Sequence, residues 1–245
     1  MPLPLLQRDR QKESEEPFMR YYSIAIDGPS GAGKSTMAKA ISAELGCVYL
    51  DTGAIYRTVA YHMILMGISP KDRDGVNRLI DDVNIRIEFP GDGRQHMILN
   101  GYDVTDEIRT SQISQGASQV SAHPVVREVL LDLQRNMAKS NNVIMDGRDI
   151  GTVVLPEADV KIFLTASARE RARRRLKELE EKGEKITFQQ VLADIEERDE
   201  RDSTREIAPL RCAPDAIRVD TSKLNLQQSI DHLLAIIREK LGDLV

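Results

Sequence analysis

An α/β fold of three layers, built on a central parallel sheet, is what this sequence predicts, and three observations predict it. Tyr22-Ser-Ile-Ala-Ile-Asp-Gly-Pro-Ser-Gly-Ala-Gly-Lys-Ser-Thr36 reads as a short apolar strand, a glycine-rich loop and the start of a helix. Two further apolar runs, Val143-Ile-Met145 and Val160-Lys-Ile-Phe-Leu164, have the continuous character of strands buried on both faces. Between the first stretch and these runs, residues 85–99 switch to period two, the mark of a local antiparallel hairpin. A chain of 245 residues, 41% hydrophobic and 30% charged, fits one such domain with insertions.

In chain order, residues 1–20 are polar and charged after a short Pro/Leu start and lack the apolar core of a signal peptide. They are expected to be a disordered tail to a domain spanning 21–245, with Met19 as a candidate start. Loss of residues 1–17 should leave folding and activity intact. The first strand, Ser23 to Ile26, leads into a loop with Gly28, Gly33, Lys34 and Ser35 in the fixed places of G-x-x-x-x-G-K-[ST]. Over Gly28, Pro29, Ser30, Gly31, Ala32, Gly33, Lys34, Ser35 and Thr36, backbone N–H groups can close around phosphate oxygens, with the positive end of the helix facing the same anion. Lys34 is the candidate contact to β/γ-phosphates and Ser35 the candidate Mg²⁺ ligand. An ordinary glycine-rich turn would need strand, loop and helix to coincide by chance.

The helix from Thr36 to Leu45 stops at Gly46. Val48-Tyr-Leu50 is a short strand, Asp51-Thr52-Gly53 a turn, and a helix follows with Ala54, Ile55, Val59, Ala60, Met63 and Ile64 on its apolar side, ending at Gly67. Arg57 reads either as a solvated surface arginine or as a bidentate anion clamp. A charged helix covers about 73–82. Ile85, Ile87 and Phe89 then alternate with Arg86 and Glu88, turn through 90–94 and return along Met97-Ile-Leu99, so that about 83–105 forms an inserted subdomain suited to gripping a substrate. Residues 106–139 are helical in pattern, broken at His123-Pro124, with Val125, Val129, Leu130, Leu133 and Met137 as core positions. Ser118 and Arg127 flank the break.

The strand at 143–145 delivers Asp146-Gly-Arg-Asp149 to its carboxyl end, where open parallel sheets bind ligands. After the 160–164 strand, Ser167 caps a helix running to about residue 182. Its Arg169, Arg171, Arg173, Arg174 and Arg175 interleave with Glu170, Glu178, Glu180 and Glu181, which suits a solvated, ion-paired helix as well as an anion patch. Thr187-x-x-Gln190 is a capping box for the next helix, on which Arg198, Arg201, Asp202 and Arg205 share a face able to clamp a polyanion. Ala216-Ile-Arg-Val219 is the last strand, and Asn225 caps a final helix with Ile230, Leu233, Leu234, Ile237 and Leu241 inward.

A net charge of −5 disfavours general nucleic-acid binding. The two cysteines, Cys47 and Cys212, form no metal-binding spacing, and no apolar run reaches transmembrane length, so a reduced, cytoplasmic setting is expected.

Five segments carry a resemblance to the bacterial cytidylate kinases, nucleoside monophosphate kinases: IDGPSGAGKST (26–36), LDTGAIYR (50–57), GASQVSAHPVVRE (116–128), DGRDIGTVVLPEADVKIFL (146–164) and ERDERDSTREIAPL (197–210). The similarity spans about 22–241. It implies transfer of the γ-phosphate of ATP, with Mg²⁺, to CMP or dCMP by a monomer. The insert and the 52–127 region would be the acceptor-binding part, and the arginine-rich helices, about 169–205, a closing lid. By the same resemblance Arg57 and Arg148 clamp the acceptor phosphate, Thr52, Arg127, Asp149 and Arg205 read the base, and Ser118, Arg198 and Asp202 lie near the sugar. Arg174 and Arg201 belong to the ATP side, and Lys34, Arg148 and Arg201 carry the charge neutralisation of catalysis. Thr52 departs from the serine of some members; its methyl group bears on base contact or on preference for CMP over UMP. No catalytic histidine is expected among His62, His96, His123 and His232, because the acceptor phosphate is already ionised. The alternatives are another small-molecule P-loop kinase, for adenylate, uridylate or shikimate, and a P-loop GTPase or ATPase. The GTPase lacks an N-K-x-D segment here, and a motor's Asp-Glu is replaced by Asp146-Gly147.

Overall fold

The computed structural model describes residues 20–181 and 183–245, so the expected tail, the Met19 start and the truncation at residue 17 lie outside the described residues. Five strands, β1 (Ser23–Asp27), β2 (Val48–Asp51), β6 (Val143–Gly147), β7 (Val160–Thr165) and β8 (Ile217–Asp220), form one sheet in the order β2-β6-β1-β7-β8. All its pairings are parallel. The register sets Asp51 beside Asp146 and Asp27 beside Gly147, which aligns the carboxyl ends of three strands. Helices α1 (Lys34–Leu45) and α8 (Leu226–Leu241) cover one face, burying Met37, Ile41, Leu233 and Ile237 against Ile24, Ile26 and Ile144. On the other face, α2 (Thr52–Leu65), α4 (Ser111–Val120) and α5 (Pro124–Ser140) pack on Ala25, Leu50 and Met145. Strands buried on both sides need continuous apolar runs, which is why they were readable one by one.

A second sheet holds β3 (Ile85–Glu88), β4 (His96–Leu99) and β5 (Tyr102–Asp103), all antiparallel. The third strand extends the expected hairpin; at two exposed residues it has no apolar period to betray it. Helix α3 (Arg73–Leu79) is shorter than expected and gives way to a 3-10 turn over Ile80–Asp82. The expected Asp51-Thr52-Gly53 turn does not form. Asp51 ends β2 and directly caps α2, accepting the Ala54 N–H at 2.9 Å. On α5 the buried face is centred on Val126 and Leu130, whereas Val129, expected inside, is 42% exposed. Phe89 lies beyond β3 and is exposed as well.

Helices α6 (Ala168–Glu181) and α7 (Phe188–Thr204) pair through a small core of Ala172, Leu179, Val191 and Ile195. The α7 capping box is formed, Thr187 and Gln190 each bonding the other's backbone N–H. Among the described residues no helix is long and apolar enough to cross a membrane.

Candidate active site

One cleft of about 860 Å³ runs along the carboxyl ends of the strands, from the glycine-rich loop to α4 and α7. At the donor end, Gly28 is forced by packing: at φ +150° a Cβ would lie 1.9 Å from the Leu164 carbonyl oxygen. Gly33, at φ +90°, caps α1 and lets Arg174 approach the loop. Lys34 is 5% exposed and its Nζ donates to the Pro29 carbonyl at 2.8 Å. Burial, then the nearby Arg148 charge, push the Lys34 ammonium down to about 7. Ser30, Gly31, Gly33, Lys34, Ser35, Thr36 and Arg174 line the cleft, while Gly28, Pro29 and Ala32 shape the loop from behind. Arg174 donates to the Thr221 carbonyl at 2.8 Å and to Glu170 at 3.2 Å.

At the middle of the cleft sits Asp146. Its carboxylate accepts from the Ser35 hydroxyl at 2.9 Å and from the Tyr49 phenol at 2.7 Å. Burial, then the facing Asp51 carboxylate, push the Asp146 carboxyl up, against the opposing pull of Lys34. Thr52 donates its hydroxyl to the Asp146 carbonyl at 2.7 Å, so its oxygen lone pairs remain available as acceptors. Asp51 is the hub of the neighbouring wall. It takes Arg57 at 2.6 Å and Arg109 at 3.0 Å, while Gln95 brackets its backbone. Burial alone would raise the Asp51 carboxyl; Arg57 and Arg109 overcome it and hold it low.

The far wall is a set of crossed ion pairs. Asp149 is paired with both Arg127 and Arg205, and Arg127 also stacks 5.7 Å from the Tyr56 ring. Arg148 donates to Asp202 at 2.7 Å, and Asp202 accepts from Ser118 at 3.3 Å. Arg205 also donates to the Ser121 hydroxyl at 3.1 Å. Burial, then repulsion from Arg148, push the Arg198 guanidinium down to about 10. The Nε atoms of Arg57 and Arg198 are buried without a hydrogen-bond partner. Two desolvated, orphaned guanidinium donors lining one cleft are an arrangement that an anion completes.

The cleft thus gathers Thr52, Arg57, Ser118, Arg127, Arg148, Asp149, Arg198, Asp202 and Arg205 with the loop. Arg201 is not on its wall; it pairs with Glu197 and reaches the Ser118 hydroxyl at 3.4 Å. Several residues with no role assigned from sequence join the site. Arg109 and Tyr56 line it, and Tyr49 and Gln95 support it. Arg171 ties α6 and α7 to the loop through the Ser30 carbonyl at 3.0 Å and Asp199. Arg109 sits in a 3-10 turn, Glu107–Arg109, inside a stretch read only for helical period. The adjacent Thr110, which caps α4, was the available boundary signal.

The sequence matches the family described as cytidylate kinase over residues 24–239. A relative from Carboxydothermus hydrogenoformans, named cytidylate kinase, is 52% identical over 217 residues, 89% of this chain and 97% of its own. Cytidylate kinases from Caldicellulosiruptor bescii and Geobacter sulfurreducens are 47% and 48% identical, each over 89% of this chain and over 96% and 93% of their own lengths.

Proposed function

The chain belongs to the cytidylate kinase family, and from that premise we propose that it transfers the γ-phosphoryl group of ATP to CMP or dCMP, giving ADP and CDP or dCDP. One observation carries the reading: a single cleft is lined at one end by the glycine-rich loop and at the other by Arg57, Arg127, Arg148 and Arg198. Two nucleotides set end to end in it would bring an acceptor phosphate against a terminal phosphate. An oxygen of the acceptor phosphate then forms the new bond to the γ-phosphorus, the bond from that phosphorus to the β,γ-bridging oxygen breaks, and ADP leaves with the electron pair. No base is needed, because that oxygen is already ionised. Catalysis is then positioning and charge neutralisation, which is the chemistry this cleft offers.

Lys34 is assigned to the β/γ-phosphates, Arg174 to the donor nucleotide and Arg57 and Arg148 to the acceptor phosphate. The orphaned Nε of Arg57 supports the last assignment, as that of Arg198 supports its place beside the acceptor. Arg201 is assigned to neutralising the transferring group only on a shift of α7, given its present contact with Ser118. Ser35 and Asp146, oxygen donors 2.9 Å apart at the loop, are fit to hold Mg²⁺, an ion that takes few protein ligands and leaves the rest to water and phosphate. Bound there, Mg²⁺ neutralises phosphate charge.

Base reading is assigned to Thr52, Arg127, Asp149 and Arg205, and Ser118, with Arg198 and Asp202, to the sugar side. Asp149, between two guanidiniums, presents acceptor oxygens, and the Thr52 hydroxyl has its proton committed to the Asp146 carbonyl. Two acceptors suit the exocyclic amine of cytosine and oppose the carbonyl oxygen of uracil. A coupled assay with ATP, Mg²⁺ and a panel of acceptors tests the assignment. CMP and dCMP should exceed UMP, AMP and shikimate as acceptors, and ADP should appear in step with CDP. AMP as the best acceptor, or ADP with free phosphate in the absence of any acceptor, would sink it.

A further inference from the structure

The two ends of the cleft are joined by a carboxylate that the phosphate-loop pattern does not call for. Asp27 is the last residue of β1, directly before Gly28, and is 4% exposed. Its Oδ1 accepts the backbone N–H of Ile150 at 2.8 Å and its Oδ2 that of Gly151 at 2.7 Å. These two N–H groups open a π-helical turn, Ile150–Val154, that follows Arg148 and Asp149 without a break. The turn's own hydrogen bonds begin with the N–H groups of Val153 and Val154, which donate to the Asp149 carbonyl. Its first N–H groups therefore need acceptors from elsewhere, as at any helix start. Asp27 supplies both, and does so with charge-assisted bonds.

The contact is close-packed as well as polar. A Cβ on Gly151 would lie 3.4 Å from the Asp27 carboxylate and 3.2 Å from the Lys161 side chain. The sheet register sets Asp27 beside Gly147, so the carboxylate lies under the start of the Arg148–Asp149 segment. Arg148 and Asp149 directly precede this turn, so whatever sets the turn sets both of them.

We infer that Asp27 is a positioning residue for the acceptor end of the cleft: through the Ile150 and Gly151 N–H groups it sets how Arg148 and Asp149 face the loop that holds the donor. The inference rests on the assignment of Arg148 and Asp149 to the acceptor nucleotide. A purely structural role would lower stability or weaken both substrates together; a positioning role splits the two substrates.

Two substitutions test it from opposite sides. Asp27→Asn keeps the shape but turns one acceptor into an amide donor facing an N–H. Gly151→Ala leaves the carboxylate in place and crowds the turn against the Lys161 methylenes, whose ammonium is held by Pro156 and Asp215. For each, steady-state kinetics with ATP against CMP and UMP are measured, together with CMP binding by calorimetry and folding by circular dichroism. The expected result is a rise of about 10-fold to 100-fold in KM and Kd for CMP, the scale of a lost charge-assisted hydrogen bond, with a reduced preference for CMP over UMP. The KM for ATP should change by less than about threefold, within one-half of a tenfold step in free energy. Folded variants with unchanged CMP constants, or with ATP and CMP constants raised equally, would overturn it. Should Asp27→Asn fail to fold, Gly151→Ala decides alone. A parent protein that does not phosphorylate CMP overturns the functional assignment as well, whereas an active parent with unaltered variants overturns this inference only.

Discussion

Burial governs Lys34 before any nucleotide arrives. Its ammonium has one protein acceptor, the Pro29 carbonyl, and lies beside Arg148, so the charged form is disfavoured around neutral pH. A triphosphate reverses both effects, and binding should draw a proton onto Lys34. The direction follows from the lowered value: well below about 7 the free protein already holds the proton, and well above it the proton must be taken up. Calorimetry in buffers of different ionisation enthalpy should show more proton uptake on ATP binding at about pH 8 than at about pH 6. Lys34→Ala should abolish that difference and lower turnover by roughly 10²–10³-fold, the usual cost of removing one electrostatic stabiliser. Equal uptake at both pH values, or near-normal turnover in the variant, would refute the role. The loop residues were legible because phosphate binding needs backbone N–H groups at a fixed spacing, which leaves a local pattern. Tyr49, Arg109 and Asp27 were not, because their partners lie 97, 58 and 123 positions away and only the folded sheet brings them together.

Among the elements, the small antiparallel sheet carries its own pH-sensitive pin. His96 on β4 bridges Asp103 of β5 at 2.7 Å and Asp92 of the preceding turn at 2.8 Å. Hydrogen bonds to Asp103 and then Asp92 raise the His96 imidazolium, and the same bond, with Thr105, holds the Asp103 carboxyl down to about 2. The His96 contribution is full below its unfolded value of about 6.5 and is lost as pH rises through its higher folded value. The Asp103 contribution is full above its unfolded value of about 3.9 and is lost as pH falls towards about 2. Between about pH 4 and 6.5 both are present. An NMR titration of the His96 ring should have its midpoint above about 6.5 and drop towards it in Asp103→Asn. A midpoint already at or below that value in the parent would show the pin absent. The same subdomain marks a limit of sequence reading. Alternation exposed β3 and β4, but β5 has only Tyr102 and Asp103, both exposed. On α5, helical spacing placed Leu130 inside, where it is, but it also admitted Val129; only packing in the core turns Val129 out and buries Val126 in its stead.

For the whole molecule, the arrangement of the cleft makes a thermodynamic demand. Its far wall is held by Arg148–Asp202, Arg127–Asp149 and Arg205–Asp149, which join the sheet's carboxyl ends and α5 to α7 and the segment just after it. A nucleotide bound among them stabilises the parts they join. CMP at a hundred times its Kd should add about 2.7 kcal/mol, hence raise Tm by about 5–10 °C for a domain of this size. UMP at the same concentration should give a smaller shift in differential scanning calorimetry, and equal shifts would remove base reading from this wall. Helices between strands made a parallel sheet readable, but left its strand order open, since right-handed crossovers fit several orders.

That order, β2-β6-β1-β7-β8, also fixes a sequence of events in time. The two strands made first do not touch each other; both wait for β6, whose Val143 pairs with Ser23 and with Val48. During synthesis at about 5–20 residues per second, β1 stays without a neighbour for about 6–24 s. Throughout that interval Ile24 and Ile26, wholly buried in the finished molecule, have no sheet to enter. The loop that defines the site is translated well before β6 and β7, the two strands that flank β1 and give it its shape.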